Sequence, residues 1–394
     1  MKISIFHNAG DFSYLYGLVN GLSKIKDLWI DVIDSEQSIT HFKDKKNIKV
    51  FNFILPYKNT FNPFYRIYRV FSPYFKNIFY SMKTDSRIFH IQWFNRIHWI
   101  DRLIMINVYH LFNKKVIYTA HNVNTLARNN KDNAWNRFTL KYFYKKVDHI
   151  IVHNNKSKQE LIDEFFIKED KISVIKFGLN IFTPQKGISK NEARVKLNLP
   201  LNKKVILFFG AINVYKGIEI LLEAYKKILE ETDDYHLIIA GENRDNDYFQ
   251  KIKNIIDQKF TDKSVTANFN YINEEDIEYY FAGADCLVLP YRSISQSGVH
   301  FLAYSFGLPV IATDVGSFKG EDIIEGETGF ICKPEDSQDL KNTIYKYFES
   351  DLYKNISLNK SKIKSWAEEN YNWDNIAHVT YNCYLKITND RKYE

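Results

Sequence analysis

The chain has 394 residues, 45% of them apolar, with 54 basic side chains against 47 acidic ones; that length exceeds one comfortable core and calls for two domains of roughly 190 residues each. Its three cysteines, at 286, 332 and 383, form neither a disulfide framework nor a metal-type spacing, which fits a reducing cytoplasm. No run of about 18 apolar residues is present, so no membrane-spanning helix is expected, and the opening MKISIFHNAG reads as a strand and turn rather than a signal peptide.

In chain order, short apolar runs predict strands near 3–6, 30–33, 88–92, 116–120 and 149–153, making a first sheet. Residues 1–190 hold 30 basic against 15 acidic side chains, and the remainder holds 24 against 32. A basic first half implies an anionic partner: a phosphorylated acceptor, an acidic membrane surface or nucleic acid. No nucleic-acid-binding module is recognisable, which sets the last aside. The bias is sharpest in residues 57–83, which contain no acidic residue and interleave Lys58, Arg66, Arg69, Lys76 and Lys83 with aromatic rings. Two readings fit this segment: an aromatic-basic surface at the headgroup boundary of an anionic bilayer, or a pair of core helices with snorkelling lysines. The membrane reading is preferred, with Arg66 and Arg69 as its markers. His90 lies on a predicted strand, as a structural or acceptor-lining residue. His121 ends another strand and opens a turn, where a neutral imidazole suits a sugar hydroxyl or a leaving phosphate.

The polar stretch 180–191, carrying Pro184 and Gly187, reads as a linker. Beyond it, strands are predicted near 205–209, 236–240, 266–269, 286–289, 310–313 and 329–332. The first of these ends at Gly210 and leads through Asn213 and Lys216 into an amphipathic helix. A lysine at such a strand-to-helix corner serves as a point charge for phosphate. After the strand at 286–289, Gln296, Ser297, Gly298 and Val299 open an amphipathic segment ended by Gly307. There a small Ser-Gly pair lets backbone N–H groups approach an anion at a helix start. Two such corners in one sheet suggest a diphosphate held at the carboxyl edge of parallel strands. Asp245-Asn246-Asp247 matches an Asp-x-Asp metal pattern but is read as a solvated loop. The tail from residue 363 has helical character and includes Trp366 and Trp373.

Taken together, FFGAINVYKGIEILLEAY (208–225), LIIAGE (237–242), ADCLVLPYRSISQSGVHFLAYSFGLPVIATDVGS (284–317) and EGETGFICKPED (325–336), with HIQW, IYTAHNV, VDHIIVHN and KISVIKFGLN earlier, resemble the family 4 glycosyltransferases of the GT-B fold. The resemblance implies an α/β architecture of two Rossmann-like, doubly wound domains facing across a cleft. Residues 1–182 would bind the acceptor and 192–368 the nucleotide-sugar donor, with a C-terminal helix at about 370–394 packing back on the first domain. It also implies donor contacts from Gly10, Gly210, Asn213, Lys216, Gly241, Gln296, Ser297, Gly298 and Val299. His121 and Lys216 would be catalytic, with His90 beside the acceptor. No cofactor or metal is implied, the nucleotide-diphosphate sugar being a substrate.

The chain departs from the family at two places. Ile294 and Leu302 stand where members commonly carry two glutamates separated by seven residues, and Asn213 stands where a subgroup with Gln-Ser-Gly-Val has an arginine. The expected activity is sugar transfer with retention to a glycan or polyprenyl-linked acceptor, in surface or capsular polysaccharide assembly. The expected location is the cytoplasm, peripheral on the inner membrane face. A catalytically impaired partner subunit and a nucleotide-sugar 2-epimerase are the alternatives. The second of these needs cleft carboxylates for which the sequence shows no constellation.

Overall fold

A computed structural model describes residues 1–8, 10–55, 62–128, 131–261 and 264–389. The chain divides into two compact units, Met1–Gly178 with Trp373–Glu394, and Leu179–Asn372. Each is built on a wholly parallel sheet.

In the first unit seven strands run in the order β3-β2-β1-β4-β5-β6-β7. They are β1 (Lys2–Phe6), β2 (Trp29–Asp34), β3 (Ile48–Asn52), β4 (Ile88–Ile91), β5 (Lys115–Thr119), β6 (His149–Val152) and β7 (Ile172–Val174). The central strands are buried on both faces, as in β4 and β6, which is why they read as unbroken apolar runs. The two edge strands were not among the five expected. Half of β3 is exposed and carries Lys49, and β7 is only three residues long, so neither gives a clear period.

The second unit holds β8 (Lys204–Phe209), β9 (Tyr235–Ala240), β10 (Val265–Asn268), β11 (Cys286–Leu289), β12 (Val310–Thr313) and β13 (Gly329–Cys332), ordered β10-β9-β8-β11-β12-β13. In both sheets the winding direction reverses beside the first strand, between β1 and β4 and between β8 and β11. Ligands of open α/β sheets bind outside the carboxyl ends of the strands at such a reversal.

Three helices complete the first unit's frame around its sheet. The helix α1 (Phe12–Ser23) is capped by the Asp11 carboxylate, which accepts from the N–H groups of Ser13 and Tyr14. Residues 63–83, within the aromatic-basic segment, form one helix, α2 (Pro63–Lys83), rather than a pair. Asn62 caps it and Pro63 occupies its first turn, where a missing N–H costs nothing. Residues 57–61 of that segment lie outside the described residues. The last helix, α6 (Trp373–Asn389), belongs to the first unit; residues 390–394 of the expected tail also lie outside the described residues. Trp373 is buried against α1, where its ring occupies the space a Cβ on Gly17 would need.

The polar stretch after Leu179 is tied to the second unit instead of hanging loose. The Glu278 carboxylate accepts from the backbone N–H groups of Lys186, Gly187 and Ile188.

Candidate active site

At the reversal point of the second sheet, two strand-to-helix corners lie side by side. The first follows β8: Gly210, then a 3-10 turn Val214–Lys216, then α3 (Ile218–Leu229). Gly217 has φ +63°, and a Cβ there would overlap the Pro290 carbonyl oxygen at the end of β11. Only glycine satisfies both the backbone angle and the contact. The second corner follows β11: Tyr291, Gln296 and Ser297 lead into α5 (Gly298–Ser305). Ser297 is its N-cap and accepts from the Val299 N–H at 3.3 Å.

Three residues expected at the donor converge here. The direction a Cβ would take from Gly210 leads to Val299 Cγ2 at 3.6 Å and to Lys216 Nζ at 3.7 Å. Gly241 joins them through the backbone: its Cβ would overlap the Gly210 carbonyl, so the ends of β8 and β9 close tightly. Asn213 opens the 3-10 turn, and its carbonyl accepts from the Lys216 N–H at 2.9 Å.

Lys216 does not stand at an exposed corner, as its sequence position suggested; it is buried. Its Nζ donates to the Tyr291 hydroxyl at 2.5 Å and sits 4.0 Å from the centroid of that ring. Burial raises the Tyr291 phenol well above its usual range, so it accepts as a neutral group. Such packing aims an ammonium without neutralising it.

Sequence reasoning missed Arg292 and Asp322. Arg292 donates to the Val214 carbonyl and pairs with Glu219 at 3.1 Å and Glu335 at 3.0 Å, while its N–H donates to the Tyr215 carbonyl. It thus fastens the first corner to the second. The Asp322 carboxylate accepts from Ser317 and, at 3.4 Å, from the Gln296 amide, and Ser317 also donates to Gln296 Oε1 at 3.0 Å. Burial opposes ionisation of Asp322, but the adjacent His300 and the hydrogen bonds from Ser317 and Gln296 outweigh it, so the carboxyl titrates below its usual range. Gln296 is therefore a held side chain. Ile294 and Leu302 are buried apolar residues and offer no polar group at this corner.

The segment opened by Gly298 was expected to be amphipathic, yet His300 through Ser305 are all buried. Asp245 is also not in a loop. It caps the helix α4 (Asn246–Lys259) by accepting from the Tyr248 N–H, and Asp247 lies in the first turn of that helix.

In the first unit a line of side chains crosses the carboxyl ends of β1, β4, β5 and β6. The His121 ring stacks on Trp93, centroids 4.0 Å apart and planes at 10°. A Cβ on Gly10 would overlap the same indole, so the turn after β1 lies flat against it. His121 Nδ1 is 3.0 Å from His153 Nε2, His121 Nε2 is 3.1 Å from the Gln92 amide, and His153 Nδ1 is 2.9 Å from the Ile175 carbonyl. Neutral rings satisfy the whole chain in one way. His153 Nδ1–H donates to Ile175 and His121 Nδ1–H donates to His153. The Gln92 amide, turned to present its NH2, donates to His121 Nε2 and accepts from His90 Nε2–H at 2.9 Å. Burial, with His153, His7 and His90 nearby, holds His121 well below the usual histidine range.

Both ring nitrogens of His121 thus have protein partners, and its aromatic stack is its most rigid contact. His90 is fully buried, its Nδ1 2.7 Å from the Tyr384 hydroxyl of α6, and burial alone pushes it down to about 3. It does not line an acceptor surface as expected; it is an internal strut joining the last helix to β4. Arg66 is exposed on α2 and Arg69 half-buried on the same helix.

Two doubly wound parallel sheets, each with a prepared corner at its reversal point, make this a GT-B glycosyltransferase fold. Residues 13–181 match the model for Glycosyltransferase Family 4 and residues 189–365 the model for Glycosyl transferases group 1. The chain belongs to these glycosyltransferases. Among curated relatives it is 27% identical, over 239 residues, to an uncharacterized glycosyltransferase of Methanocaldococcus jannaschii, aligning 60% of this chain with 59% of that protein. It is 23% identical to a D-inositol 3-phosphate glycosyltransferase of Corynebacterium aurimucosum, aligning 71% of this chain with 69% of that one. Among solved structures, sucrose-phosphate synthase of Thermosynechococcus elongatus has TM-score 0.75 at 19% identity over 98% of this chain and 99% of its own. HepE of Anabaena in complex with UDP has TM-score 0.74 at 16% identity over 98% and 100%.

Proposed function

We propose that the enzyme moves a sugar from a nucleotide-diphosphate donor to a hydroxyl of a glycan or polyprenyl-linked acceptor, with retention, in surface or capsular polysaccharide assembly. One observation carries the donor half: Gly210, Lys216 Nζ and Val299 converge at the reversal point of the second sheet. On this reading the diphosphate lies against the N–H groups at Ser297, Gly298 and Val299. Lys216 takes up negative charge as the bond to the anomeric carbon breaks, where preoriented cations do most in a dry site. Gly210 and Gly241 leave room for the nucleotide, while Asn213 and Gln296 supply polar groups at its edge. The similar fold of HepE, solved with UDP and with UDP-glucose, supports a uridine-type donor. The first unit supplies the acceptor side, with Gly10 against Trp93 and His121 as a stacked, neutral platform. No protein nucleophile is assigned, so the leaving phosphate itself receives the acceptor proton.

The location proposed is cytoplasmic, peripheral on an anionic membrane face, with Arg66 and Arg69 among the basic contacts. The test is calorimetric titration of nucleotide diphosphates, followed by proton NMR of the product anomer. Binding with the donor anomer preserved supports the reading; an inverted product removes retention. A second reading, a non-catalytic partner subunit, draws on one feature, the apolar Ile294 and Leu302 in place of the family's glutamates. Binding with neither transfer nor donor hydrolysis would favour it.

A further inference from the structure

Two features of the first unit lie away from the site above and meet at one side chain. Along α2, Phe64, Phe71, Phe75, Phe79 and Met82 are 40–80% exposed, while Tyr74, Asn77 and Tyr80 on the other side are buried. Steps of seven, four, four and three residues place the exposed rings on one stripe. Isolated surface apolar residues need no explanation, but a continuous stripe does. Residues 62–84 contain no acidic side chain.

Beside this stripe, α2 and the edge strand β3 enclose a groove of about 480 Å³. Its walls include Phe51, Phe53, Phe79 and Tyr80, and it is rimmed by four lysines against two aspartates. Lys2 is held by Asp31 and Asp85. Two of the others lie over rings, with Lys49 Nζ 4.9 Å from the Phe51 centroid and Lys76 Nζ 5.7 Å from that of Phe53. Phe79 belongs to both stripe and groove.

We propose that α2 and this groove form a bilayer-docking surface that seats one anionic phospholipid. Its acyl chain runs along Phe51, Phe53 and Phe79, and its phosphate sits among Lys49, Lys76 and Lys83. The inference rests on the peripheral membrane reading and deepens it by naming the surface and its ligand. Aromatic rings favour the headgroup boundary, and lysines snorkel to phosphates while their stems stay apolar. A second copy of the chain is disfavoured as occupant, because it would bring the same lysines against these.

The experiment is co-sedimentation of the full chain with vesicles of phosphatidylcholine, with or without phosphatidylglycerol, at low and high salt. Anionic vesicles should capture the protein, and high salt should weaken capture without abolishing it, because the rings are inserted. Phe75→Ser with Phe79→Ser should reduce capture about tenfold. Both side chains are exposed, and retained transfer to a soluble acceptor confirms folding. Lys49→Glu with Lys76→Glu should remove the preference for phosphatidylglycerol, and native mass spectrometry should find one phosphatidylglycerol per wild-type chain.

If the serine variant binds like wild type while the glutamate variant does not, docking is electrostatic and the aromatic seat is wrong, with the peripheral reading intact. Capture by no vesicle overturns both. Self-association of the wild type, lost in the serine variant by sedimentation velocity, identifies a dimer interface and overturns the inference.

Discussion

Lys216 is buried against Tyr291, so replacing it removes packing as well as charge. Lys216→Ala is expected to lower transfer by roughly 10²-fold through lost leaving-group stabilisation. It should also lower stability by about 1–3 kcal/mol, because the stem fills space between the two corners. Lys216→Met keeps the stem, and should recover the stability while leaving transfer low. Transfer at the wild-type rate in either variant would remove this corner from the reaction. His90 gives a second test, through pH. Its folded pKa lies far below the unfolded value near 6.5, so below that pH the unfolded chain takes up a proton that the native chain refuses. Its contribution is therefore full above about 6.5 and declines by roughly 1.4 kcal/mol per pH unit below it, down to about 3. Urea unfolding of wild type and His90→Gln at pH 7.5 and 5.5 should show the wild-type advantage shrinking at the lower value. An unchanged gap would mean that His90 is not a neutral buried group.

Among elements, α6 decides most about the first unit. Trp373 fills the space beside Gly17 and Gly178, and Tyr384 meets His90. Trp373→Ala should cost about 3–5 kcal/mol as a large-to-small core change. Tyr384→Phe should cost about 1–3 kcal/mol by leaving the His90 ring nitrogen unpaired. Chemical denaturation measures both, and a cost near zero for Trp373→Ala would mean that the helix is not docked on α1. The same contact explains why α6 was only partly legible. Its apolar residues give a helical period, but nothing local says which sheet they cover. The edge strands were illegible for the opposite reason, since half-exposed or three-residue strands lack the two-sided apolar run that marked β4, β6 and β11.

The two units carry separate cores, so perturbations in one should leave ligand effects in the other unchanged. A nucleotide diphosphate at about 100 times its dissociation constant should stabilise the chain by about 2.7 kcal/mol. Lys216→Ala should reduce that gain and Trp373→Ala should not, since distant sites without shared partners add. Calorimetric scans of the two variants with and without UDP check this. Loss of the UDP effect in Trp373→Ala would show that the units are energetically coupled.

The sequence by itself determined the parallel α/β class, all six strands of the second sheet, both strand-to-helix corners and the glycosyltransferase family. Those features are local: an apolar run, a glycine stop and a lysine at a turn are written in adjacent residues. Tertiary structure alone decided that Lys216 is buried and aimed by Tyr291, that Arg292 binds one corner to the other, and that Asp322 holds Gln296. It also decided that His90 faces α6 rather than a ligand, and that His121 spends both ring nitrogens on His153 and Gln92. Each of these depends on which strands become neighbours, and hydrogen bonds between residues far apart in the chain leave no period in the sequence to read.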